Sequence, residues 1–501
     1  MNLRGRTVIL LICLSILLSS FVTMLVVSSG SLGSSESASS ALEDDEPAED
    51  QAQSNHEDEA NGDSSGNEEH LRKIHEVYDI IMNNYVLDVD EDALLEGAID
   101  GMLESLDDPY SVYMNTEEAQ QFQSSFESSF EGIGAEVVMK DGRVTIVSPI
   151  RGSPAEEAGL RPNDQILSVN GEELEGLNLH QAVLKIKGPK GSEAQLEILR
   201  PGLSEPIKVT VIRDEIPLET VYADTISVDG KTLGKLEITS FAQKTAERFE
   251  EELRQFEAEG IDGLIIDVRG NPGGYLDAVR EIGQLLIPEE GIITRIENRD
   301  GEKMVYRSSL NERKPYPISI IIDNGSASAS EILAAALQEA GDYTVVGETS
   351  FGKGTVQSAI ELDDSSEVKI TIAKWLTPDG NWIHDQGVKP DVEVSQPDYF
   401  RATHIATDPP LEKDMNNDQV QNLQIILQGL GYEPGRTDGF FSAQTETAVK
   451  QFQDDEGLPQ TGIVDEETAL KMEEALTSVM MDEANDEQLN KAIEVMLEEI
   501  E

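Results

Sequence analysis

One uninterrupted stretch, Ile318 to Gln357, reads ISIIIDNGSASASEILAAALQEAGDYTVVGETSFGKGTVQ and leaves little freedom in what the chain around it can build. Ile318 to Asp323 is short, apolar and β-branched, the mark of a buried strand, and Asn324-Gly325 ends it in a turn. From Glu331 onward, Ile332, Leu333, Ala335, Ala336 and Leu337 make one apolar side of a short helix that Gly341 stops. Thr344 to Val346 reads as the next strand. Strands and helices alternate in this way from Gly263 to Thr371, which predicts an α/β body with a mostly parallel sheet at its centre.

Ser326, Ser328 and Ser330 fall between the first strand and the helix N-terminus. A hydroxyl there stands at a sheet edge beside unpaired backbone N–H groups that can hold a developing negative charge, the setting of a nucleophile. The same place is a favoured N-cap, so capping and catalysis both remain open for these serines. Gly347, Gly352 and Gly354 bracket Glu348 to Lys353 and carry Lys353 on a glycine-hinged turn. Lysine acts as a base only when neutral, and a desolvated pocket is what lowers its pKa from about 10.4; the alternative is a solvated surface charge. Gln357, four residues on, returns to nearly the same side in either strand or helix and can orient the Lys353 amine without adding charge.

The strings NGSASASEILAAALQ and VGETSFGKGTVQ resemble the nucleophile and base segments of the carboxy-terminal processing proteases, Ser/Lys-dyad peptidases of the cell envelope and the thylakoid lumen. The resemblance implies that the middle serine, Ser328, is the nucleophile, Lys353 the general base and Gln357 its orienting partner. It covers Glu68 to Tyr399 and implies cleavage of protein or peptide substrates through an acyl-enzyme, with no cofactor and no metal. His384 is the only histidine of this body and has no matched carboxylate, so a Ser-His-Asp triad fits poorly. No metal-ligand spacing occurs among the scattered histidines and one cysteine.

A formal charge of −61 argues against binding nucleic acid or an anionic membrane by bulk electrostatics. Arg4 and Arg6 precede an uncharged apolar run at 7–28, close to the roughly twenty residues that a bilayer needs. It reads as a single-pass anchor with its N-terminus inside and the body extracytoplasmic. A cleaved signal peptide is the alternative, with a run long for an h-region and no clear A-x-A site after it. Cys13 lies in mid-span without a small-residue lipobox and reads as lipid-facing. Residues 29–67 are Ser, Glu, Asp, Ala and Gly with few large apolar side chains, a disordered acidic linker.

The arm at 68–117 is helical: Leu71, Ile74, Val77, Tyr78 and Ile81 follow helical spacing, and a second helix runs from Asp90 to Leu106. LDDPYSVYMNTEEAQQF after it is similar to the segment before the PDZ module in the same proteases, where such arms often self-associate, which implies a homodimer. At 118–213, SPAEEAGLRPNDQILSVNGEEL strongly resembles a PDZ core. Gly132, Ile133, Gly134 and Ala135 offer bare N–H groups for a peptide's terminal carboxylate and an edge for strand addition. Leu179 to Ile186 is the expected groove helix. His180 near its start is either a ligand contact or an ordinary surface histidine.

At 214–400 lies the peptidase body, expected with a crotonase-like core. Gly263 to Val268 reads as a buried strand feeding Arg269-Gly270-Asn271-Pro272-Gly273-Gly274, which resembles the family's RxNPGG turn. Its physical use is an oxyanion hole, with the N–H of Gly273 or Gly274 on one side and of Ala329 on the other. A phosphate cradle is the competing use, and neither GK[ST] nor GxGxxG is present. Asp267 and Arg269 read as supports of the turn. At 414–477, VQNLQIILQGLGY, DGFFSAQTETAVKQFQ and TGIVDEETALKM resemble a peptidoglycan-binding domain; from the residues alone this is a small all-α module with turns at Asp438-Gly439 and Thr461-Gly462, and an inert cap remains open. Residues 478–501 form a last acidic helix, expected as a dimer arm. The whole reads as a membrane-anchored endopeptidase that recognises substrate C-termini; the rivals are a non-catalytic wall-binding scaffold and a crotonase-like acyl enzyme.

Overall fold

The computed structural model describes residues 64–140, 142–150, 152–201, 203, 205–288 and 290–500. The expected anchor at 7–28 and residues 29–63 of the linker lie outside them. Among the described residues no helix is long and apolar enough to cross a membrane. The chain divides into two compact units, Met1–Ala98 and Ile99–Glu501.

In the first unit the helix Ser64–Asn84 starts four residues earlier than its apolar spacing predicts. On its apolar stripe Leu71, Ile74 and Val77 are exposed, whereas Tyr78 and Ile81 are half-buried. The Tyr78 hydroxyl hydrogen-bonds Glu91 of the next helix, Glu91–Glu104.

The second unit is built on a six-stranded sheet in the order Val221–Val228, Lys231–Ile238, Gly263–Asp267, Ile318–Ile322, Thr344–Gly347 and Val392–Glu393. The first pair is antiparallel and every later pair parallel. Every residue of Gly263–Asp267 and of Ile318–Ile322 is buried, as strands covered on both faces require. One face packs Leu264, Ile266, Ile320 and Ile322 against the helices Thr245–Glu259, Leu276–Leu286 and Ala329–Ala335. The other face packs Leu233, Ile265, Ile321 and Val346 under Leu489, Ala492, Val495 and Met496.

Those last four side chains belong to the C-terminal helix Glu487–Ile500. The helix expected as a dimer arm is therefore the second covering layer of the central sheet. Its apolar spacing of three and four residues fits one buried face. Gly263 lies under this helix, where a Cβ would stand 2.6 Å from the terminal methyl of Met496.

A second, five-stranded sheet holds Val112–Met114, Thr355–Glu361, Glu367–Leu376, Ile292–Asn298 and Lys303–Arg307, all in antiparallel pairs. Val112–Met114 comes from the end of the expected N-terminal arm. The region that resembles a PDZ core is a six-stranded sheet with the helix Leu179–Ile186, closed around Val144, Ile146, Ile166, Leu196 and Ile198. Asn178 caps that helix, in a capping box with Gln181.

The helices Asp418–Gly429, Ala443–Asp455 and Glu466–Met480 form the C-terminal module around Leu423, Leu427, Phe452 and Met472. Its two turns are held in the same way. The Gly439 N–H donates to buried Gln424 Oε1 at 3.0 Å, and the Gly462 N–H to buried Gln453 Oε1 at 2.9 Å. Each glutamine returns a bond, to Phe440 O and to Ile463 O.

Candidate active site

Three turns leave the C-terminal ends of adjacent parallel strands and meet. The first, Asp323 to Ser330, follows Ile318–Ile322 and enters the helix Ala329–Ala335. Its three serines are not equivalent. Ser326 and Ser330 are fully buried, and their hydroxyls donate to Val268 O at 2.8 Å and Asn271 O at 2.9 Å. Ser328 alone is half-buried. It sits at the helix N-cap with φ 54° and ψ −109°, a conformation that L side chains rarely adopt and that costs of the order of 1–3 kcal/mol.

The second turn is Arg269 to Gly274, and it is sewn to the first. Gly270 N–H donates to Asp323 Oδ1 at 2.8 Å and Ala327 N–H to Asn271 O at 3.0 Å, while the Asn271 amide donates to Ile238 O at 2.7 Å. Gly273 has φ 104°, and a Cβ there would meet Ser328 Cβ at 2.9 Å and Ala329 N at 3.0 Å. The turn thus lies directly against Ser328. Phe241 fixes its far side, donating to Gly273 O at 2.9 Å and accepting from Tyr275 N–H at 2.7 Å.

The N–H of Gly273 is consumed by Asn271 Oδ1 at 2.8 Å. This corrects the expectation that either glycine could serve as an oxyanion donor. Among the described residues, the N–H groups of Gly274 and Ala329 make no hydrogen bond, so both stay available as donors.

The third turn, Glu348 to Gly354, carries Lys353. Glu331, buried with no exposed surface, joins it to the first: Oε2 accepts from Ser328 N–H at 2.8 Å and Lys353 N–H at 2.8 Å, and Oε1 from Ser350 Oγ at 2.6 Å and Gly352 N–H at 2.7 Å. One carboxylate therefore sets the distance between the serine's and the lysine's backbone. The chain's two tryptophans hold the other side, Trp375 Nε1 donating to Lys353 O at 2.7 Å and Trp382 Nε1 to Gly354 O at 2.8 Å. His384 stacks on Trp382 and accepts the Gly354 N–H through Nδ1 at 3.3 Å, a part of the turn's support.

Lys353 Nζ lies 4.9 Å from the centroid of the Tyr110 ring. Among the described residues, no carboxylate stands within ion-pair distance of it. Burial holds its pKa below the usual lysine value, and the ammonium of Lys369 pushes it further down against a weaker pull from Glu331 and Asp108. Tyr110 is held by the turn Asp108 to Ser111: Asp108 accepts from Tyr110 N–H at 3.1 Å and Ser111 Oγ at 2.6 Å, and Ser111 Oγ accepts from Thr371 N–H at 3.0 Å.

Gln357 is on the strand Thr355–Glu361, where its amide donates to Thr355 Oγ1 at 2.9 Å and Thr371 Oγ1 at 3.1 Å. It makes no bond to Lys353, so the expected orienting contact is replaced by an anchorage of the strand that follows the Lys353 turn. In the PDZ-like region, Gly132 ends the strand Ser129–Gly132. Gly134 has φ 75°, and a Cβ there would stand 2.4 Å from Ser153 Cβ. The carbonyls of Ile133 and Gly134 accept from Ala155 and Ile150, whereas among the described residues their N–H groups bond nothing. Ala135–Lys140 is an edge strand of its sheet. His180 lies in the helix Leu179–Ile186, and its side chain is outside what is described.

Sequence reading missed Glu331, Tyr110, Lys369 and the two tryptophans. Glu331 was open to detection, because Ser followed three residues later by Glu is a capping-box signature.

A serine at a strained helix N-terminus, with a spare N–H beside it and a half-buried lysine on a turn tied to it through Glu331, defines a serine-type hydrolase of α/β fold. Family comparisons agree with that class. Residues 232–394 match peptidase family S41, 123–199 the PDZ domain, 25–118 the activating protease CtpB N-terminal domain, and 416–472 a putative peptidoglycan binding domain. The chain is 51% identical over 423 residues to the carboxy-terminal processing protease CtpB of Bacillus subtilis, covering 84% of this chain and 88% of that protein. It is 41% identical over 428 residues to CtpA of the same organism, covering 85% and 90%. Among solved structures, the photosystem II D1 C-terminal processing protease is 28% identical with a TM-score of 0.40, covering 66% of this chain and 89% of that one. The chain belongs to the carboxy-terminal processing proteases, serine-type peptidases of family S41 that carry a PDZ domain.

Proposed function

We propose that the chain is a membrane-anchored endopeptidase working outside the cytoplasm, and that Ser328 and Lys353 are its catalytic dyad. The observation that carries the dyad is the Glu331 bridge, which ties the peptide units of Ser328 and Lys353 to one buried carboxylate while the N–H groups of Gly274 and Ala329 stay unused. A peptide would lie with its scissile carbonyl between them. Ser328 Oγ attacks the carbonyl carbon as its proton passes to neutral Lys353 Nζ. The oxyanion takes the N–H groups of Gly274 and Ala329. Collapse breaks the C–N bond, and Lys353 returns the proton to the leaving amine, leaving an ester on Ser328. Water, deprotonated by Lys353, then releases the new C-terminus. Gln357 keeps the base strand in place through Thr355 and Thr371.

Substrate C-termini are read in this proposal by the PDZ domain, where Gly132 to Ala135 receive the carboxylate and Ala135–Lys140 pairs with the extended peptide. The anchor at 7–28 and the helical module at 414–477 hold the enzyme between membrane and wall, and the exposed stripe Leu71, Ile74 and Val77 is covered by a second copy. Cleavage of an unfolded test protein by the full chain tests the catalytic part. Ser328→Ala should abolish cleavage while Ser326→Ala and Ser330→Ala retain it; a Ser328→Ala enzyme cutting at the wild-type rate would remove the assignment.

A further inference from the structure

The peptidoglycan-binding module interrupts the peptidase fold. The body's last strand is Val392–Glu393, the module's helices occupy Asp418–Met480, and the chain then returns to cover the central sheet with Glu487–Ile500. At the point of return stands Asp486. Its Oδ1 accepts from Arg269 Nη1 at 2.9 Å, from Gln396 Nε2 at 2.6 Å and from Leu489 N–H at 2.9 Å, and its Oδ2 accepts from Arg269 Nη2 at 2.8 Å. Gln488 Oε1 takes a further bond from Arg269 Nη1 at 3.2 Å.

Arg269 opens the Gly-rich turn. Its other side is held by Asp267, whose Oδ1 accepts Nε at 2.9 Å and the backbone N–H at 3.1 Å, and whose Oδ2 accepts Nη2 at 2.6 Å. The three side chains are largely buried, Arg269 exposing 17%, Asp267 6% and Asp486 16%. A guanidinium gripped from two sides by bidentate carboxylates has one orientation, whereas one gripped by Asp267 alone can swing about that contact. The peptide that Arg269 starts runs on through Gly270, bonded to Asp323, to Gly273 against Ser328 and to the free N–H of Gly274.

We infer that Asp486 is a positioning residue for the oxyanion turn, acting through Arg269, and that the chain beyond the wall-binding module is part of the catalytic apparatus. The inference rests on the assignment of Ser328 and the Gly274 and Ala329 N–H groups to the reaction. It extends that assignment to a residue 217 positions from Arg269 in sequence. A misaimed N–H weakens the transition state and leaves substrate binding alone, because the ground-state carbonyl does not draw on the hole in full.

The test uses the full chain and its Asp486→Asn, Asp486→Glu and Gln488→Ala variants. The measurements are kcat and KM on one peptide, the affinity of a peptide aldehyde that forms a hemiacetal with the serine, and the affinity of the matching product peptide. Asp486→Asn should lower kcat by about 10- to 100-fold, less than the roughly 100- to 1,000-fold of losing an oxyanion donor outright. KM should stay within about twofold and aldehyde affinity should fall with kcat while product affinity holds. Asp486→Glu should recover part of the loss, and Gln488→Ala should show the same pattern at smaller size, which keeps the test decisive if Asp486→Asn does not fold. Wild-type kcat in Asp486→Asn would overturn the inference. Equal weakening of aldehyde and product would overturn it too, since that marks general loosening. Failure of the wild-type chain to bind the aldehyde would instead overturn the site assignment itself.

Discussion

In the proposed dyad Lys353 works as a base only to the extent that it is neutral, and burial together with Lys369 decides that. Burial costs its charged form most, and Lys369, whose own pKa is lowered by burial, adds repulsion. The sign follows directly. A lowered lysine pKa puts the neutral base in place at lower pH, so kcat/KM should rise with pH through an apparent pKa below that of free lysine. Replacing Lys369 by Gln removes the repulsion and should move this rising limb to higher pH, which a pH–rate profile of the variant measures. An unmoved limb would mean that burial alone tunes the base. At Glu331 all four partners are donors. Glu331→Gln brings an NH₂ against them and should cost about 1–3 kcal/mol for each donor left unsatisfied, seen as a lower melting temperature together with lost turnover. The proposed nucleophile was only half legible from residue spacing, and it was the family resemblance that singled out Ser328. Spacing placed three serines at the helix start, and what separates them is burial, which no local pattern encodes.

Elements show where sequence pattern suffices and where it stops. The strand–helix–strand run Ile318 to Val346 was legible because continuous β-branched residues and then an apolar helical side leave one reading each. The antiparallel second sheet was not legible as a sheet, since the pairing of Glu367–Leu376 with Ile292–Asn298 and Val112–Met114 is set by partners far along the chain. The helix Glu487–Ile500 was legible as a helix, but its spacing names a face and not what covers it. It covers the sheet, so Met496→Ala should destabilise the peptidase body by about 2–5 kcal/mol, measured by denaturant unfolding. The exposed stripe of Ser64–Asn84 carries the opposite expectation. Ile74→Asp with Val77→Asp should leave the peptidase melting transition unchanged and abolish self-association in light scattering. Dimers that persist would place the contact elsewhere.

At the scale of the whole molecule, a chain of charge −61 cannot hold an anionic wall polymer by attraction of net charge. If the module binds through its surface shape, added salt should preserve or improve pelleting of the full chain with purified peptidoglycan. Loss of pelleting with salt would point to a local basic contact. Folding also has a consequence for truncation. Because the chain past the module returns to the sheet, removing everything from Asp418 onward strips a covering layer and the Asp486 contact as well as the module. A cut of that kind should therefore reduce proteolysis, whereas excision of the module with the return segment kept should lose wall binding alone.

The central claim is that Ser328 is acylated with Lys353 as its base, and the direct measurement is the rate at which a peptidyl fluorophosphonate labels the full chain across pH, with the labelled residue located by mass spectrometry. The account predicts label on Ser328 alone, a rate that climbs through an apparent pKa below that of free lysine, and no appreciable labelling in Lys353→Arg, because arginine stays protonated. Label on Ser326 or Ser330, or Lys353→Arg labelled at the wild-type rate, would contradict it.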